Sequence, residues 1–355
     1  MTEAGAAPED LSGHVVGGTY RLVQRLGAGA MGTVYRAEGS GQQPCAVKLL
    51  NRESGGDEGL RERFRREAEA LFMVRHPNIL AVHDFGVDAA LGTSYLVMEL
   101  LDGRSLDAMI DEHTPDPKTG VDLAVQICRG LAHAHQNGVL HRDLKTENVF
   151  ITWDGQSWVA KLLDFGLVKL DDERFGPAQK LTMLGQVFGS PAYMSPEQAT
   201  GAPLDARSDV YSMGVVLYEL LTGRWPFEED SHVAMARAHF LEAPPPLEAK
   251  RPGLVLRPEL QAIVQRALAK KPADRFADGG ELLRALESVP APAAWMSGLT
   301  HVPPAPIAPL PASGRARAAG AASAGKMAWA SWGLPVALGL GLTVAVVATA
   351  WWLLH

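Results

Sequence analysis

A polar run between two apolar segments carries residue types that could do chemistry. It extends from His141 to Asn148, reads HRDLKTEN, and has an Asp followed five residues later by an Asn. A carboxylate that accepts a proton and an amide oxygen that binds a metal ion, at this spacing on a loop, can surround one transferring phosphoryl group. Lys145 adds positive charge where negative charge must be held as the bond breaks. The run therefore predicts phosphoryl transfer, with Asp143 and Lys145 as catalytic residues.

A second oxygen ligand follows in the run Leu162 to Leu167, which reads LLDFGL. Asp164 is a hard donor suited to Mg²⁺, which keeps water ligands and uses few protein carboxylates plus substrate phosphates. We expect Phe165 to pack into the core and set the position of Asp164, and Gly166 to let the backbone move. Asn148 and Asp164 are thus the predicted ligands of Mg²⁺, with Mn²⁺ as the alternative metal.

The glycines between Gly27 and Gly32 fit the pattern G-x-G-x-x-G-x-V, which ends at Val34. Alone the pattern is weak, because dinucleotide-binding folds share it. Here the glycines join two strand-like runs, whereas the dinucleotide fingerprint joins a strand to a helix. Glycine lets the backbone approach phosphates without a side chain between them, so the pattern predicts a lid over ATP.

Lys48 lies on the third strand-like run and can supply a cation for the α- and β-phosphates of ATP. A Lys on a strand is usually just solvent-exposed, so the helical segment that follows decides the interpretation. That segment carries Glu67 and Glu69, and either carboxylate could hold Lys48 by an ion pair. We choose Glu67, because it immediately precedes Ala68 in the inward-facing stripe of the helix.

Strand-like segments come first in the chain and helical segments come later. This order predicts an α+β fold with a small sheet-rich lobe and a larger helical lobe. The strand-like segments are 20–23, 33–37, 45–50, 79–85 and 94–98, and the helical ones are 58–74, 121–137, 208–221, 233–240, 259–269 and 280–288.

Taken together, the residues from about Tyr20 to Leu286 resemble a Hanks-type (eukaryotic-like) bacterial serine/threonine protein kinase, with every signature motif in order. The resemblance implies a bilobal protein kinase fold that binds ATP in the cleft, Asp143 as the catalytic base, and a role in bacterial signalling. It also places Met98 at the back of the adenine pocket and the hinge at residues 99–101. The residues assigned to ATP are Leu26, Gly27, Ala28, Gly29, Ala30, Met31, Gly32, Thr33, Val34, Ala46, Lys48, Glu67, Glu99 and Leu101.

Several further matches favour protein substrates. The stretch that ends at Ser195-Pro196-Glu197 resembles the end of an activation segment. The resemblance implies that Glu197 pairs with Arg275. It also implies that Asp209 holds the backbone of the catalytic loop, which is the run His141 to Asn148. Lys145 after the catalytic Asp is the serine/threonine pattern. Two other classes remain as alternatives: a pseudokinase scaffold, which usually lacks one of the catalytic residues, and a small-molecule phosphotransferase, which lacks the peptide-docking segment.

Regulation by phosphorylation is a further expectation from the resemblance. Arg142 beside Asp143 is typical of kinases controlled through a phosphate on the activation segment, which an Arg can grip with two hydrogen bonds. Thr182 is the candidate phosphosite, Ser190 is the second, and a homodimer would allow autophosphorylation in trans. The departures from the family pattern are Thr146, where Pro is common, and Ser190, where Thr is usual; neither removes a catalytic group.

The overall composition excludes other classes. Apolar residues make up 47% and charged residues 21% of the chain, as in globular proteins. The formal net charge of −7 argues against a general nucleic-acid binder, which needs a clustered excess of Lys and Arg. Cys45 and Cys128 lie far apart in apolar stretches, so we expect buried thiols and no disulfide or zinc site.

The end of the chain predicts a membrane anchor. No charged residue occurs in 328–354, and this apolar stretch exceeds the ~20 residues that cross a bilayer core. A buried soluble helix is the alternative. Arg315, Arg317 and Lys326 precede the stretch and only His355 follows it, which predicts a single-pass protein of the cell membrane whose preceding part is cytoplasmic. The predicted organisation is a loose N-terminus (1–17), a kinase domain (18–288), a Pro- and Ala-rich linker (289–327) and a transmembrane helix (328–354).

Overall fold

The computed structural model describes residues 10–29, 32–50, 58–165 and 191–289. Over these residues a sheet-rich lobe precedes a mainly helical lobe, which confirms the predicted α+β order. The strands of the first lobe are β1 (Val15–Val16), β2 (Tyr20–Gly29), β3 (Gly32–Glu38), β4 (Pro44–Leu50), β5 (Val82–Asp88) and β6 (Thr93–Met98). They pair antiparallel in the order β1-β2-β3-β4-β6-β5.

Alternation along β4 decides which way Lys48 points. Val47 and Leu49 pack with Tyr35 and Val97 in one apolar cluster on one face of the sheet. Because successive side chains of a strand point to opposite faces, Lys48 lies on the other face. It is buried there, with 9% of its surface exposed.

Helix α1 (Glu58–Met73) packs on the face to which Lys48 points. Ala68 and Leu71 of this helix share an apolar cluster with Leu96, which is paired with Lys48 across the β4–β6 ladder. Helix α1 therefore lies on the same side of the sheet as Lys48, which is necessary if a carboxylate of this helix is to pair with that lysine. The observed helix ends one residue before the predicted end at Val74.

The helical lobe is built around one buried helix, Ala206–Thr222. Every residue of this helix from Ser208 to Thr222 is buried, which marks it as the centre of the lobe. Its ends are defined locally, because the Asp205 side chain accepts a hydrogen bond from Arg207 N and Gly223 adopts a left-handed φ of 73°. The helices after α1 are α2 (Leu106–Glu112), α3 (Pro117–Gln136), α4 (Pro196–Thr200), α5 (Ala206–Thr222), α6 (His232–Leu241), α7 (Leu247–Lys250), α8 (Pro258–Ala267) and α9 (Gly279–Glu287).

A small sheet brings the two metal-ligand candidates together. It consists of β7 (Gly103–Ser105), β8 (Val149–Trp153) and β9 (Trp158–Leu162) in that order. Asn148 immediately precedes β8, and Asp164 follows two residues after β9. Because β8 and β9 pair antiparallel, the two ends meet, and Leu163 N donates a 2.8 Å hydrogen bond to Asn148 O.

The structure corrects several element boundaries. The predicted loose N-terminus at 1–17 is too long, because Val15–Val16 pair with β2 and the Val16 side chain is fully buried. The predicted strand at 79–85 is shifted to β5, and Ile79 makes only a single bridge to Leu162. Strands β7 to β9 and helices α2, α4 and α7 are not among the predicted elements; each of these helices has seven residues or fewer, too few to show a clear helical period.

Other predictions have separate outcomes. Cys45 and Cys128 are buried free thiols, as expected. Within the ranges that the structure describes, no helix is both long and apolar enough to cross a membrane. The predicted transmembrane helix at 328–354 and the phosphosites Thr182 and Ser190 lie outside those ranges.

Candidate active site

The catalytic loop holds Asp143 and Asn148 against each other. Asn148 Nδ2 donates hydrogen bonds of 2.8 Å to Asp143 O and 3.2 Å to Asp143 Oδ2. This orientation uses the amide nitrogen for the loop and presents the amide oxygen as the atom a metal ion requires. Lys145 Nζ lies 3.8 Å from Asp143 Oδ2, so the cation and the candidate base share one side of the loop.

The backbone before Asp143 is held by a buried carboxylate. Arg142 has a φ of 61°, a left-handed conformation that non-glycine residues rarely adopt. Asp209 accepts hydrogen bonds from His141 N at 2.7 Å and from Arg142 N at 2.8 Å. The prediction that Asp209 holds this loop is confirmed.

His135 completes the support of Asp209. Its Nε2 lies 2.9 Å from Asp209 Oδ2, and its Nδ1 accepts a hydrogen bond from Gly279 N at 3.1 Å. The ring proton therefore lies on Nε2, which donates to Asp209. Burial alone would raise the pKa of Asp209, but the hydrogen bonds from His135 and the loop N–H groups hold that pKa below its ordinary value.

Phe165 packs beneath the loop, as predicted. It is 4% exposed, and its ring centroid lies 4.5 Å from that of His141. Burial lowers the pKa of the His141 imidazole, so the ring stays neutral near pH 7. The ring packs against Phe165, the residue that follows Asp164 in the chain.

Asp164 and Lys48 join the two lobes directly. Lys48 Nζ lies 2.6 Å from Asp164 Oδ1. Desolvation raises the pKa of Asp164, but the Lys48 ammonium outweighs it and holds the carboxyl pKa below its ordinary value. Asp164 also has a left-handed φ of 43°. The predicted partner Glu67 lies on α1, but its side chain is outside the described residues, so the Lys48–Glu67 pair stays a prediction.

The strands place the other ATP candidates beside Lys48. Gly27 pairs with Val34, Val34 with Lys48, and Ala46 with Met98, so the glycine-rich hairpin and the start of the hinge are neighbours in one sheet. Leu26, Ala28 and Gly29 lie on β2 and Thr33 on β3, whereas Ala30 and Met31 lie outside the described residues.

One of the glycines has a packing reason of its own. A Cβ at Gly32 would lie 2.1 Å from Leu49 O on β4. Any other residue here would push the two strands apart, because real Cβ atoms essentially never come so close to a backbone oxygen. Gly32 is therefore required by the close approach of β3 to β4, independently of a phosphate.

The hinge is fixed to both lobes through Glu99. Its backbone N donates to Ala81 O at 3.0 Å, and its Oε1 accepts from Ala81 N at 2.8 Å. The same Oε1 lies 2.8 Å from Lys161 Nζ on β9. The Glu99 side chain thus holds the hinge, and Leu101 follows it as a half-buried residue.

The metal-ligand candidates fit Mg²⁺ bound together with a phosphate. In the part of the chain that the structure describes, no group of three or more His, Cys, Asp or Glu side chains could hold a metal ion. A site made of Asp164 and Asn148 depends on water and phosphate oxygens for its remaining ligands, which is how Mg²⁺ is usually bound. The chemistry of the donor pair therefore suits a metal that arrives with a nucleotide.

The segment after residue 190 is anchored by a buried ion pair. Arg275 Nη1 and Nη2 lie 2.6 Å and 3.0 Å from Glu197 Oε1 and Oε2, which confirms the predicted pair. The other Arg275 N–H groups donate to the carbonyls of Ala269, Arg207 and Lys270, so all five donors are used. Burial raises the pKa of Glu197, but its hydrogen bonds with Arg275 and Ser208 hold that pKa below its ordinary value.

Thr146 connects the catalytic loop to the same segment. Thr146 is fully buried, and its Oγ1 lies 2.7 Å from Tyr193 Oη. Tyr193 Oη in turn donates to Glu219 Oε2 at 2.6 Å and accepts from Trp225 Nε1 at 3.0 Å. The residue that departs from the family pattern therefore has hydrogen-bond partners of its own.

Two supporting residues, His135 and Gln198, have no motif that reveals them in the sequence. His135 is one of several polar residues near the end of α3, and Gln198 is a polar residue on a one-turn helix. Their partners Asp209 and Arg142 are 74 and 56 residues away in the chain. Only the packed fold brings these pairs together.

Comparison with known proteins supports this geometry. A family model described as "Protein kinase domain" matches residues 20–285. Serine/threonine-protein kinase pkn3 of Myxococcus xanthus is 39% identical over 79% of this chain and 52% of its own length. PknA of Mycobacterium tuberculosis is 37% identical over 89% of this chain and 72% of its own.

A solved structure has the same fold. The PknI kinase domain of Mycobacterium tuberculosis is 30% identical, with a TM-score of 0.60, over 78% of this chain and 98% of that chain. The chain spans about half the length of pkn3 and 43% of Pkn1, another Myxococcus xanthus serine/threonine-protein kinase.

Proposed function

The chain belongs to the protein kinase family, among its bacterial serine/threonine kinases, and we propose that it transfers the γ-phosphoryl group of ATP to Ser and Thr hydroxyls of proteins. The observation that carries the proposal is the meeting of the catalytic loop with Asp164 and Lys48. Asp143 and Asn148 lie on the catalytic loop, Asp164 follows β9 and Lys48 lies on β4, and hydrogen bonds join these three segments.

Each side chain has a part in the proposed reaction. Asp143 accepts the proton of the attacking hydroxyl, and Lys145 on the same side of the loop balances the charge that develops on the phosphoryl oxygens. Asn148 and Asp164 would hold Mg²⁺, which when bound would neutralise phosphate charge. Lys48 exchanges part of its contact with Asp164 for the α- and β-phosphates. Positioning of the reactants provides most of the rate.

A protein substrate is favoured over a small molecule. The pair Glu197–Arg275 fixes helix α4, and the Tyr193 hydroxyl is fixed by Thr146 and Glu219. These contacts make the segment from residue 191 onward a rigid platform beside Asp143, which suits an extended peptide rather than a compact metabolite. Lys145, two residues after Asp143, matches the pattern of kinases that phosphorylate Ser and Thr.

Incubation with labelled ATP and a generic acceptor protein tests the proposal. We expect label on Ser and Thr that requires Mg²⁺ or Mn²⁺, and a loss of about 10²-fold or more in the Asp143→Asn variant with ATP affinity retained. Folded wild-type protein that binds nucleotide but labels no protein would contradict the proposal. Label on small alcohols alone would favour the small-molecule class, and no transfer to any acceptor would favour the scaffold class.

Two finer proposals concern control and location. Thr182, with Ser190 as the second candidate, is the proposed site of autophosphorylation in trans within a homodimer, and residues 328–354 are the proposed membrane anchor. Mass spectrometry of ATP-treated protein without phosphate between Lys169 and Gly189 would contradict Thr182. Fractionation of cells that express the whole chain, compared with a chain ending at residue 327, tests the anchor: only the longer chain should stay with membranes.

A further inference from the structure

One side-chain amide joins helix α4 to the catalytic loop. Gln198 lies on α4, and its Oε1 accepts a 2.9 Å hydrogen bond from Ser195 N at the start of the helix. Its Nε2 donates a 2.7 Å hydrogen bond to Arg142 O. The two ends of the amide therefore have different partners: the oxygen completes the helix cap and the nitrogen reaches the loop.

The carbonyl that Gln198 holds belongs to the peptide bond between Arg142 and Asp143. The orientation of this peptide determines where the Asp143 side chain begins, because the chain rotates only about the bonds on either side of it. Arg142 has the uncommon φ of 61°, and such a conformation persists only where the surroundings hold it. Asp209 holds the N–H of Arg142 at 2.8 Å, and Gln198 holds the C=O.

We propose that Gln198 is a positioning residue for Asp143, which fixes the Arg142–Asp143 peptide and couples the placement of α4 to the geometry of the catalytic base. The proposal rests on the proposed function, in which Asp143 is the base. It also connects the base to the buried pair Glu197–Arg275, because Glu197 is the neighbour of Gln198 on the same helix turn. A displacement of α4 would then reach Asp143 through one hydrogen bond.

A substitution at Gln198 can remove its contact with Arg142 O while keeping its contact with Ser195 N. The Gln198→Glu substitution keeps an oxygen to accept from Ser195 N, but it replaces the donor with a carboxylate oxygen opposite Arg142 O. Two acceptors repel at this distance, so the peptide must turn while the helix cap persists. Gln198→Met has a similar length and removes both contacts, and it is the second variant if the first does not fold. Thr200→Ala is the matched control, because among the residues that the structure describes Thr200 Oγ1 bonds only to carbonyls of its own helix, Pro196 O and Glu197 O.

The experiment combines steady-state kinetics with hydrogen exchange on the purified whole chain. We expect Gln198→Glu to lower kcat on the order of 10-fold, with the KM for ATP and the Tm close to wild type. Deuterium uptake in a peptide covering 139–148 should rise, and uptake in α5 should not. Thr200→Ala should match wild type in both measurements.

Unchanged kcat and unchanged exchange at 139–148 in both Gln198 variants would overturn the proposal. A uniform rise in exchange across α5 and α9 would also overturn it, since that result marks a general loss of structure. The exchange measurement does not need activity, so an inactive wild type would contradict the proposed function while the coupling of Gln198 to the loop is still decided.

Discussion

Lys48 Nζ lies 2.6 Å from Asp164 Oδ1, so the cation of the sheet-rich lobe and the carboxylate that follows β9 are directly paired. Desolvation alone would raise the pKa of the Asp164 carboxyl, but its pairing with Lys48 keeps that pKa below the ordinary value. In the proposed function, the ionised Asp164 carboxylate would bind a metal ion and Lys48 would bind the phosphates that accompany it.

Replacing Lys48 tests this relationship. Lys48→Met should lower the rate of phosphoryl transfer by about 10²-fold or more, because a fixed positive charge is lost where charge develops. The pKa of Asp164 should rise, because the group that most strongly opposes the desolvation of its carboxylate is lost. The measurement is labelled-phosphate transfer at saturating ATP, with nucleotide binding measured in parallel.

Lys250→Met is the control for Lys48→Met. Lys250 pairs with Glu228 at 3.1 Å in an exposed ion pair far along the chain from the catalytic loop. Exposed pairs contribute little, so this variant should keep wild-type turnover. Wild-type turnover in Lys48→Met would contradict the role assigned to Lys48.

The buried pair of Glu197 and Arg275 leads to a stability prediction. Glu197→Gln leaves the Arg275 guanidinium buried with no countercharge, which should lower the free energy of unfolding by about 3–5 kcal/mol. Urea denaturation at pH 7 measures the change. Lys118→Met, which removes the exposed ion pair to Asp122, should cost about 0.5 kcal/mol or less.

The Glu197 pair has a defined pH dependence. The folded-state pKa of Glu197 is lowered, so its contribution is fully present above its ordinary pKa of 4.5 and is lost as the pH falls through the lowered value. Wild-type stability should therefore be nearly independent of this group from pH 7 to 5. An acid limb below pH 4 that is equally steep in Glu197→Gln would contradict the assignment.

His239 contributes to the pH dependence of stability in a different pH range. Burial lowers its pKa to about 3, and the Lys270 ammonium adds to the effect. In the unfolded chain His239 binds a proton with its ordinary pKa of 6.5, whereas in the folded chain it stays neutral until about pH 3. The free energy of unfolding therefore falls as the pH drops below 6.5. From pH 7 to pH 5 the loss from this residue is about 2 kcal/mol.

The His239→Gln variant isolates that contribution. A Gln side chain can keep a hydrogen bond with Tyr211 Oη, which lies 2.9 Å from His239 Nδ1, but it does not titrate. Urea midpoints measured from pH 7 to 5 should fall less steeply in the variant than in wild type. Equal slopes would show that another group binds the proton.

Local sequence patterns encoded part of this architecture. The candidate catalytic residues and the buried pair Glu197–Arg275 are predicted from spacing and resemblance, because short motifs carry them. The hairpin of β8 and β9 also had a signal: Asp154-Gly155 stands between two apolar runs, and Gly155 has a φ of 97°. The contacts of His135 and Gln198 had none, because a side chain that bonds a distant backbone group depends on how whole helices pack.

The role of Thr146 provides a last prediction, at a position where related kinases commonly have Pro. A proline would fit the backbone, because Lys145 before it is extended, with φ −160° and ψ 166°, and residue 146 opens a short 3-10 turn. What a proline lacks is the hydroxyl 2.7 Å from Tyr193 Oη. Thr146 Oγ1 also lies 3.3 Å from Glu219 Oε2, so losing this hydroxyl removes one hydrogen-bond partner from the buried side chains of Tyr193 and Glu219.

Thr146→Val and Thr146→Pro should therefore each lower the free energy of unfolding by about 1–3 kcal/mol, and Thr146→Ser should stay within about 1 kcal/mol of wild type. Tyr193→Phe removes the partner, and in a double-mutant cycle with Thr146→Val the two losses should be less than additive by at least about 0.5 kcal/mol. Urea denaturation of the four proteins measures the cycle. Strict additivity, or a Thr146→Pro variant as stable as wild type, would show that the hydroxyl merely fills space, whereas the expected coupling makes Thr146 the link between the catalytic loop and the segment that ends at Glu197.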